Sequence, residues 1–159
     1  YNNTYQIVQA PDHVMILVEM VHDARIVPTF DSASEARRAH RPDVMAPWLG
    51  DSVGWYEGGT LVVETINVRP EQVQVSSIPV SRSGKVTERF TRIADGEIFY
   101  EFAVEDPAIY STPWRAELSF YATKQQVHEY ACHEGNHAMA GILGGARQLE
   151  TEKGVTVRQ

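Results

Sequence analysis

Within the 159 residues, reactive side chains are densest in His128-Glu129-Tyr130-Ala131-Cys132-His133-Glu134-Gly135-Asn136-His137. This stretch contains a literal His-Glu-x-x-His, His133 to His137. On a helix, that spacing stacks two imidazoles one turn apart for zinc, and the intervening acid polarises a metal-bound water. The local context argues against it. Gly135 and Asn136 are poor helix formers, and the preceding residues have strand character. Downstream, only Glu150 and Glu152 offer acids for a third ligand. A metal-dependent hydrolase is therefore the minor alternative, alongside a non-peptidase metal site using His133 with His22 or Glu129. Otherwise no cofactor is expected. Cys132 and His133 cannot act as nucleophile and base, because adjacent strand residues point to opposite faces. An inert, buried thiol fits Cys132 better.

A second set of candidates consists of polar residues on otherwise apolar, strand-like runs: Glu19, Glu64, Glu88, Arg89, Tyr100, Glu129 and Tyr130. Such groups must be satisfied wherever they are buried, so they form either a structural network or a ligand site. The catalytic version needs an imidazole or a carboxyl of raised pKa facing a cavity, where it can move a proton on a small substrate. The pairs Glu19 with His22 and Glu134 with His133 suit that role. Tyr100 or Tyr130 would donate to a developing oxyanion. Glu64, Arg89, Glu129 and Asn136 would contact the substrate, with Trp48, Trp55 and Trp114 as apolar walls.

These side chains must be carried by strands. Asp51–Asn67 reads as a hairpin whose turn is Gly58-Gly59, a pair that tolerates positive φ. On its second arm Leu61 and Val63 share one face, and Val62, Glu64 and Ile66 the other. Apolar residues on both faces predict a strand covered on both sides, with Glu64 as a carboxylate that needs a partner. Thr4–Ala10, His13–Val21 and Ala24–Thr29 read as strands. So do Lys85–Ile93, Glu97–Glu105, Trp114–Thr123 and Gln126–Cys132, joined by turns such as Ala94-Asp95-Gly96. Ile98, Tyr100, Phe102 and Val104 should face one way. Val68–Gly84 reads as a long loop.

Asp31–Gly50 is different. Ser32-Ala-Ser-Glu35 fits a capping box opening one or two helical turns. Arg37, Arg38, His40 and Arg41 then make a basic run, read as a solvated face or as a lid that Trp48 closes over a ligand mouth. Glu134–Glu150 is a weak helix candidate, damaged by four glycines.

Eight to nine strands in consecutive hairpins, without βαβ spacing, predict a mainly β, antiparallel, up-and-down fold. Its form is a lipocalin-like barrel or a strongly curved sheet, with one or two short helices. A barrel of that size holds one small ligand. The expected domain runs from 1 to 150, with 151–159 as a tail or edge strand.

Composition bounds the rest. An apolar fraction of 43% and a charged fraction of 22% belong to a globular protein. A net charge of -7 argues against nucleic acid as a partner. No apolar run approaches the roughly 20 residues of a membrane span. A single cysteine excludes an internal disulfide. The start at Tyr1 fits a processed or trimmed product from which a leader would already be gone. The expected partner is a small organic molecule, and a homodimer is left open.

Several stretches carry a resemblance. They are Tyr5-Gln-Ile; Glu19-Met-Val-His-Asp-Ala-Arg-Ile-Val-Pro28; Trp48 through Thr65; Glu88-Arg-Phe-Thr-Arg; and Glu129-Tyr-Ala-Cys-His-Glu-Gly-Asn136. Together they span most of the chain. The chain resembles a large family of uncharacterised, mainly β, exported bacterial proteins whose members carry a further N-terminal portion. That resemblance implies a periplasmic or secreted protein and no particular reaction. In the family the position of His137 is often Tyr, which weakens a metal role there and leaves His133-Glu134-Gly135-Asn136 as the shared part. Two functional expectations follow. One is an acid–base enzyme, lyase-, isomerase- or hydrolase-like, acting on a small, partly apolar substrate inside the barrel. The other is a barrel that binds such a molecule without turning it over.

Overall fold

The alternation of the hairpin arms is realised as one curled sheet. A computed structural model describes residues 3–69, 71, 78–129 and 138–152. The chain divides into two units, Tyr1–His128 and Glu129–Gln159. The first holds eight strands: β1 (Tyr5–Gln9), β2 (His13–Val18), β3 (Ala24–Phe30), β4 (Asp51–Glu57), β5 (Thr60–Ile66), β6 (Lys85–Ala94), β7 (Glu97–Glu105) and β8 (Trp114–Tyr121). They lie in sequence order and curl into a half-barrel. The outcome is thus a strongly curved, mainly antiparallel sheet. Its two edge strands meet through side chains, where Tyr5 stacks on Phe120 with ring centroids 5.1 Å apart.

One junction departs from the up-and-down expectation. β3 and β4 run parallel, pairing Thr29 with Gly54 and Phe30 with Trp55. The Asp31–Gly50 connection crosses the outer face of the sheet and returns the chain in the same direction. It carries helix α1 (Ala33–Arg38), opened by Ser32, whose hydroxyl accepts the Glu35 amide at 3.3 Å. That bond satisfies one of the donors a helix start leaves orphaned. Gly54 sits where β3 comes close. A Cβ there would lie 3.1 Å from Val27 Cγ1 and 3.3 Å from the Val62 carbonyl oxygen.

The central hairpin is covered on both sides, as its sequence pattern requires. Towards the concave face, Leu61, Val63 and Phe90 pack with Val14, Ile16 and Val27, and Tyr100 and Phe120 lean on them. Towards the convex face, Val53, Trp55 and Val62 pack beneath Ala36 of α1. Burying each of these valines contributes about 1.5–3 kcal/mol. Gly58 takes φ +59° at the turn, as the Gly-Gly pair allows.

The expected ninth strand does not form where it can be followed. Gln126–Glu129 is irregular, and Tyr130–Cys132 lies outside the described residues. The segment after β8 is held by the Glu19 carboxylate, which accepts the His128 amide at 2.9 Å. The compact β unit ends at His128. In the second unit, helix α2 (Ala138–Glu152) runs through Gly141, Gly144 and Gly145, continues over Thr151 and Glu152, and has no buried residue. No described helix is long and apolar enough to cross a membrane.

Candidate functional site

The concave face carries a polar group that strand pairing places with little freedom. Arg25 stands opposite Ile16 in the β2–β3 register, and Ile16 is an inward core residue, so Arg25 also points inward. Glu88 stands opposite Val63 on one side and Phe102 on the other, again inward. Tyr100 stands opposite Phe90. The three side chains meet. The Arg25 guanidinium forks onto Glu88, with N–H···O distances of 2.6 and 2.9 Å, and the Tyr100 hydroxyl donates to Glu88 Oε1 at 2.9 Å. A two-point guanidinium–carboxylate contact is both strong and directional.

The electrostatics follow from that contact. Burial works against the charge on Arg25, but the adjacent Glu88 carboxylate outweighs it and holds the guanidinium pKa above its usual value. Burial, and then the same carboxylate, push the Tyr100 phenol well above the usual tyrosine range, so it stays a donor.

Around this group lies a half-open cavity of about 580 Å³. Its walls are Ile16, Val18, Phe90 and Phe120, with Trp48, Met20 and Val21 at the rim. Those three rim residues are 48%, 42% and 61% exposed, an apolar entrance. The aromatic side chains form a rank: Phe90 to Tyr100 at 4.8 Å, Tyr100 to Phe120 at 5.0 Å and Phe120 to Tyr5 at 5.1 Å between centroids. A wider groove of about 910 Å³ runs between the start of β1 and the chain after β8. Asn3, Thr4, Ser119, Thr123 and Gln125 supply much of its lining, together with Glu19 and the Tyr5–Phe120 pair that also lines the smaller cavity. The smaller cavity is the better candidate, because apolar walls converging on a few fixed polar groups are what small-molecule sites share.

Of the residues expected at the site, Tyr100 and Trp48 are there. Trp55 and Glu64 are not. Strand alternation puts both on the convex face, beneath α1. Trp55 is buried against Val53, Val62 and Ala36, donates its indole N–H to Glu57 at 2.9 Å and lies under the Arg37 guanidinium, 5.1 Å from the ring. Glu64 accepts Arg37 Nε at 3.2 and 3.1 Å. Arg89 is also on that face and pairs with Glu57 at 2.8 Å. Trp114 sits further along, edge-on to Phe102 and Tyr110.

The proposed proton-transfer pairs are not assembled among the described residues. Glu19 is buried, but its two oxygens accept the Thr4 amide at 3.2 Å and the His128 amide at 2.9 Å. The His128 amide, and then Thr4, lower its pKa, the opposite of what a general acid needs. His22 is an exposed turn residue at φ +59°. Glu129 is exposed at the start of the second unit. His133, Glu134, Tyr130, Asn136 and His137 lie outside the described residues. Among the described residues no group of three or more His, Cys, Asp or Glu is placed to hold a metal.

Sequence reasoning missed Arg25 and the convex-face cluster. Arg25 has a readable signal, since it shares strand parity with the buried Val27. The cluster joins His40 Nδ1 to Asp51 at 2.8 Å, with the Arg41 amide on the same oxygen at 2.8 Å. His40 Nε2 points towards Glu64 at 3.6 Å, beyond hydrogen-bond reach, and is buried without a hydrogen-bond partner among the described residues. The basic run that ends α1 and continues past it is thus not wholly solvated. Arg37, His40 and Arg41 clamp the connection to two acids of the sheet.

Compared with family models, with curated proteins and with solved structures, the chain matches none.

Proposed function

We propose that the half-barrel binds a small, largely apolar organic molecule in its concave cavity and does not transform it, the behaviour of a carrier or sensor. One observation carries this reading: an apolar, aromatic-walled space of about 580 Å³ ends on a hydrogen-bonded Arg25–Glu88–Tyr100 group. Apolar walls supply most of the affinity at such sites, and a few fixed polar groups set orientation. Binding is favoured over acid–base turnover because no imidazole lines the cavity among the described residues and the Tyr100 phenol at its polar end is held protonated.

The test fills the space. Val18→Trp places a large side chain on the cavity wall and leaves Arg25, Glu88 and Tyr100 unmutated. Titration of an uncharged naphthalene-sized probe, followed by calorimetry, should give one site per chain in the parent protein. Binding should be lost in Val18→Trp while the thermal midpoint stays within a few degrees. Equal affinity in both proteins would remove the cavity as the binding place.

A further inference from the structure

We propose that the natural ligand of this cavity is a flat, uncharged, ring-bearing molecule that presents a carbonyl-type acceptor to Arg25. The inference rests on the binding reading above and adds the chemical class of the guest.

Charge comes first. The guanidinium of Arg25 and the carboxylate of Glu88 are 2.6 Å apart at their closest and already cancel one another. A guest carboxylate would compete with Glu88 for the same cation and lie beside a like charge. Asp23, on the same lining, adds to that repulsion. A guest ammonium would face the guanidinium. Each would be partly desolvated against apolar walls, where an unmatched charge is most costly.

Hydrogen-bonding capacity comes second. Glu88 takes two N–H groups from Arg25 and the hydroxyl of Tyr100, so the Tyr100 donor is committed. A guanidinium has five N–H donors, and this one gives two to Glu88, leaving three without a partner among the described residues. The side chain is 20% exposed, and Arg25 lines the cavity. What Arg25 still offers is therefore donors, and their complement is an acceptor without charge: a ketone, ester, amide or lactone oxygen.

Shape comes third. Tyr5, Phe90, Tyr100 and Phe120 all line the space, with neighbouring ring centroids 4.8–5.1 Å apart. Rings pack against rings in offset or edge-on contacts that branched aliphatic chains do not reproduce. The apolar rim of Met20, Val21 and Trp48 suits the entry of such a molecule.

Four probes sharing one ring system decide the matter: naphthalene, 2-acetylnaphthalene, 2-naphthoate and the ammonium form of 2-(aminomethyl)naphthalene, each titrated calorimetrically at pH 7. The ketone should bind best, with the acid and the amine weaker by about tenfold or more, as expected for mismatched charge. The advantage of the ketone over naphthalene should vanish in Arg25→Lys, which keeps the charge opposite Glu88 but loses the fork of donors. The acid or the amine binding as tightly as the ketone would overturn the ligand class while the cavity reading stands. A ketone advantage that survives Arg25→Lys would also overturn it. None of the four binding at all would overturn the cavity reading itself. If Arg25→Lys does not fold, the ranking of the four probes on the parent protein still decides.

Discussion

Glu88 and Glu64 are two carboxylates on neighbouring strands, buried to nearly the same degree, with 7% and 6% of their side chains exposed. Each meets an arginine. They differ in what lies beyond. Glu88 faces the hollow of the half-barrel, and its arginine is itself largely enclosed, gripping both oxygens through two N–H groups. Glu64 faces the underside of α1, and its arginine is 54% exposed and offers both oxygens a single N–H. Burial of a charge does not name a functional site. The first pair ends a space that a guest can occupy, whereas the second fastens a helix and the connection behind it to the sheet. His40 and Asp51 extend that second role, since Asp51 holds both the His40 ring and the Arg41 amide.

Two of the three tryptophans that the sequence groups together, Trp55 and Trp48, give the largest test of this division. Trp55→Ala removes a buried ring from the convex layer and should cost about 3–5 kcal/mol, read by denaturant unfolding, with probe affinity unchanged at temperatures where the variant is folded. Trp48→Ala should do the reverse: about 1 kcal/mol or less of stability, because the residue is half exposed, and a clear loss of probe affinity. Identical behaviour of the two variants would erase the distinction between the faces.

Glu88→Leu should cost about 3 kcal/mol, because it leaves the Arg25 charge inside without its partner. Replacing the whole group, with Arg25→Met, Glu88→Leu and Tyr100→Phe together, should recover most of that loss, since an ion pair can often be exchanged for apolar residues at little net cost. The triple variant should bind naphthalene but no longer prefer the ketone. On the convex face Glu64→Leu should cost less, about 1–2 kcal/mol, because Arg37 can swing into water, leaving the His40 ring to readjust. Probe affinity should not change. A fall in affinity as large as that of Trp48→Ala would mean that the clamp, too, shapes the cavity.

Period-two alternation made the fold class legible, and it also assigned faces that the functional expectation then ignored. Leu61 and Val63 against Val62 and Glu64 is a correct division, and it already sends Glu64 away from the hollow. The Trp55 side chain follows by pairing, since Trp55 stands opposite Val62. Arg25 was equally legible, sharing parity with Val27 on a strand that must bury one face. What local pattern could not supply was the crossing of Asp31–Gly50 over the sheet. That connection turns β3–β4 into a parallel pair and brings His40 to Asp51, a contact set by the path of an irregular segment rather than by any periodicity. Nor could it reveal that Glu19, an acid interrupting an apolar run, would spend both oxygens on backbone amides, one of them 109 residues away.

The smallest expected effect concerns that same carboxylate and separates a clasp from a catalyst. The His128 amide, and after it the Thr4 contact, favour the ionised form, so the folded pKa of Glu19 lies below its unfolded value. A group shifted downward on folding contributes stability that is fully present above the unfolded pKa of about 4.3 and is lost as pH falls through the folded value. The thermal midpoint of the parent protein should therefore decline across that acid window more steeply than that of Glu19→Gln, the two curves converging at the acid end. A proton-transferring Glu19 would behave in the opposite sense, with its pKa raised towards neutrality and its stabilising contribution fading as pH rises. Carboxyl chemical shifts of Glu19 followed by NMR from pH 2 to pH 7 distinguish the two directions without reference to any ligand.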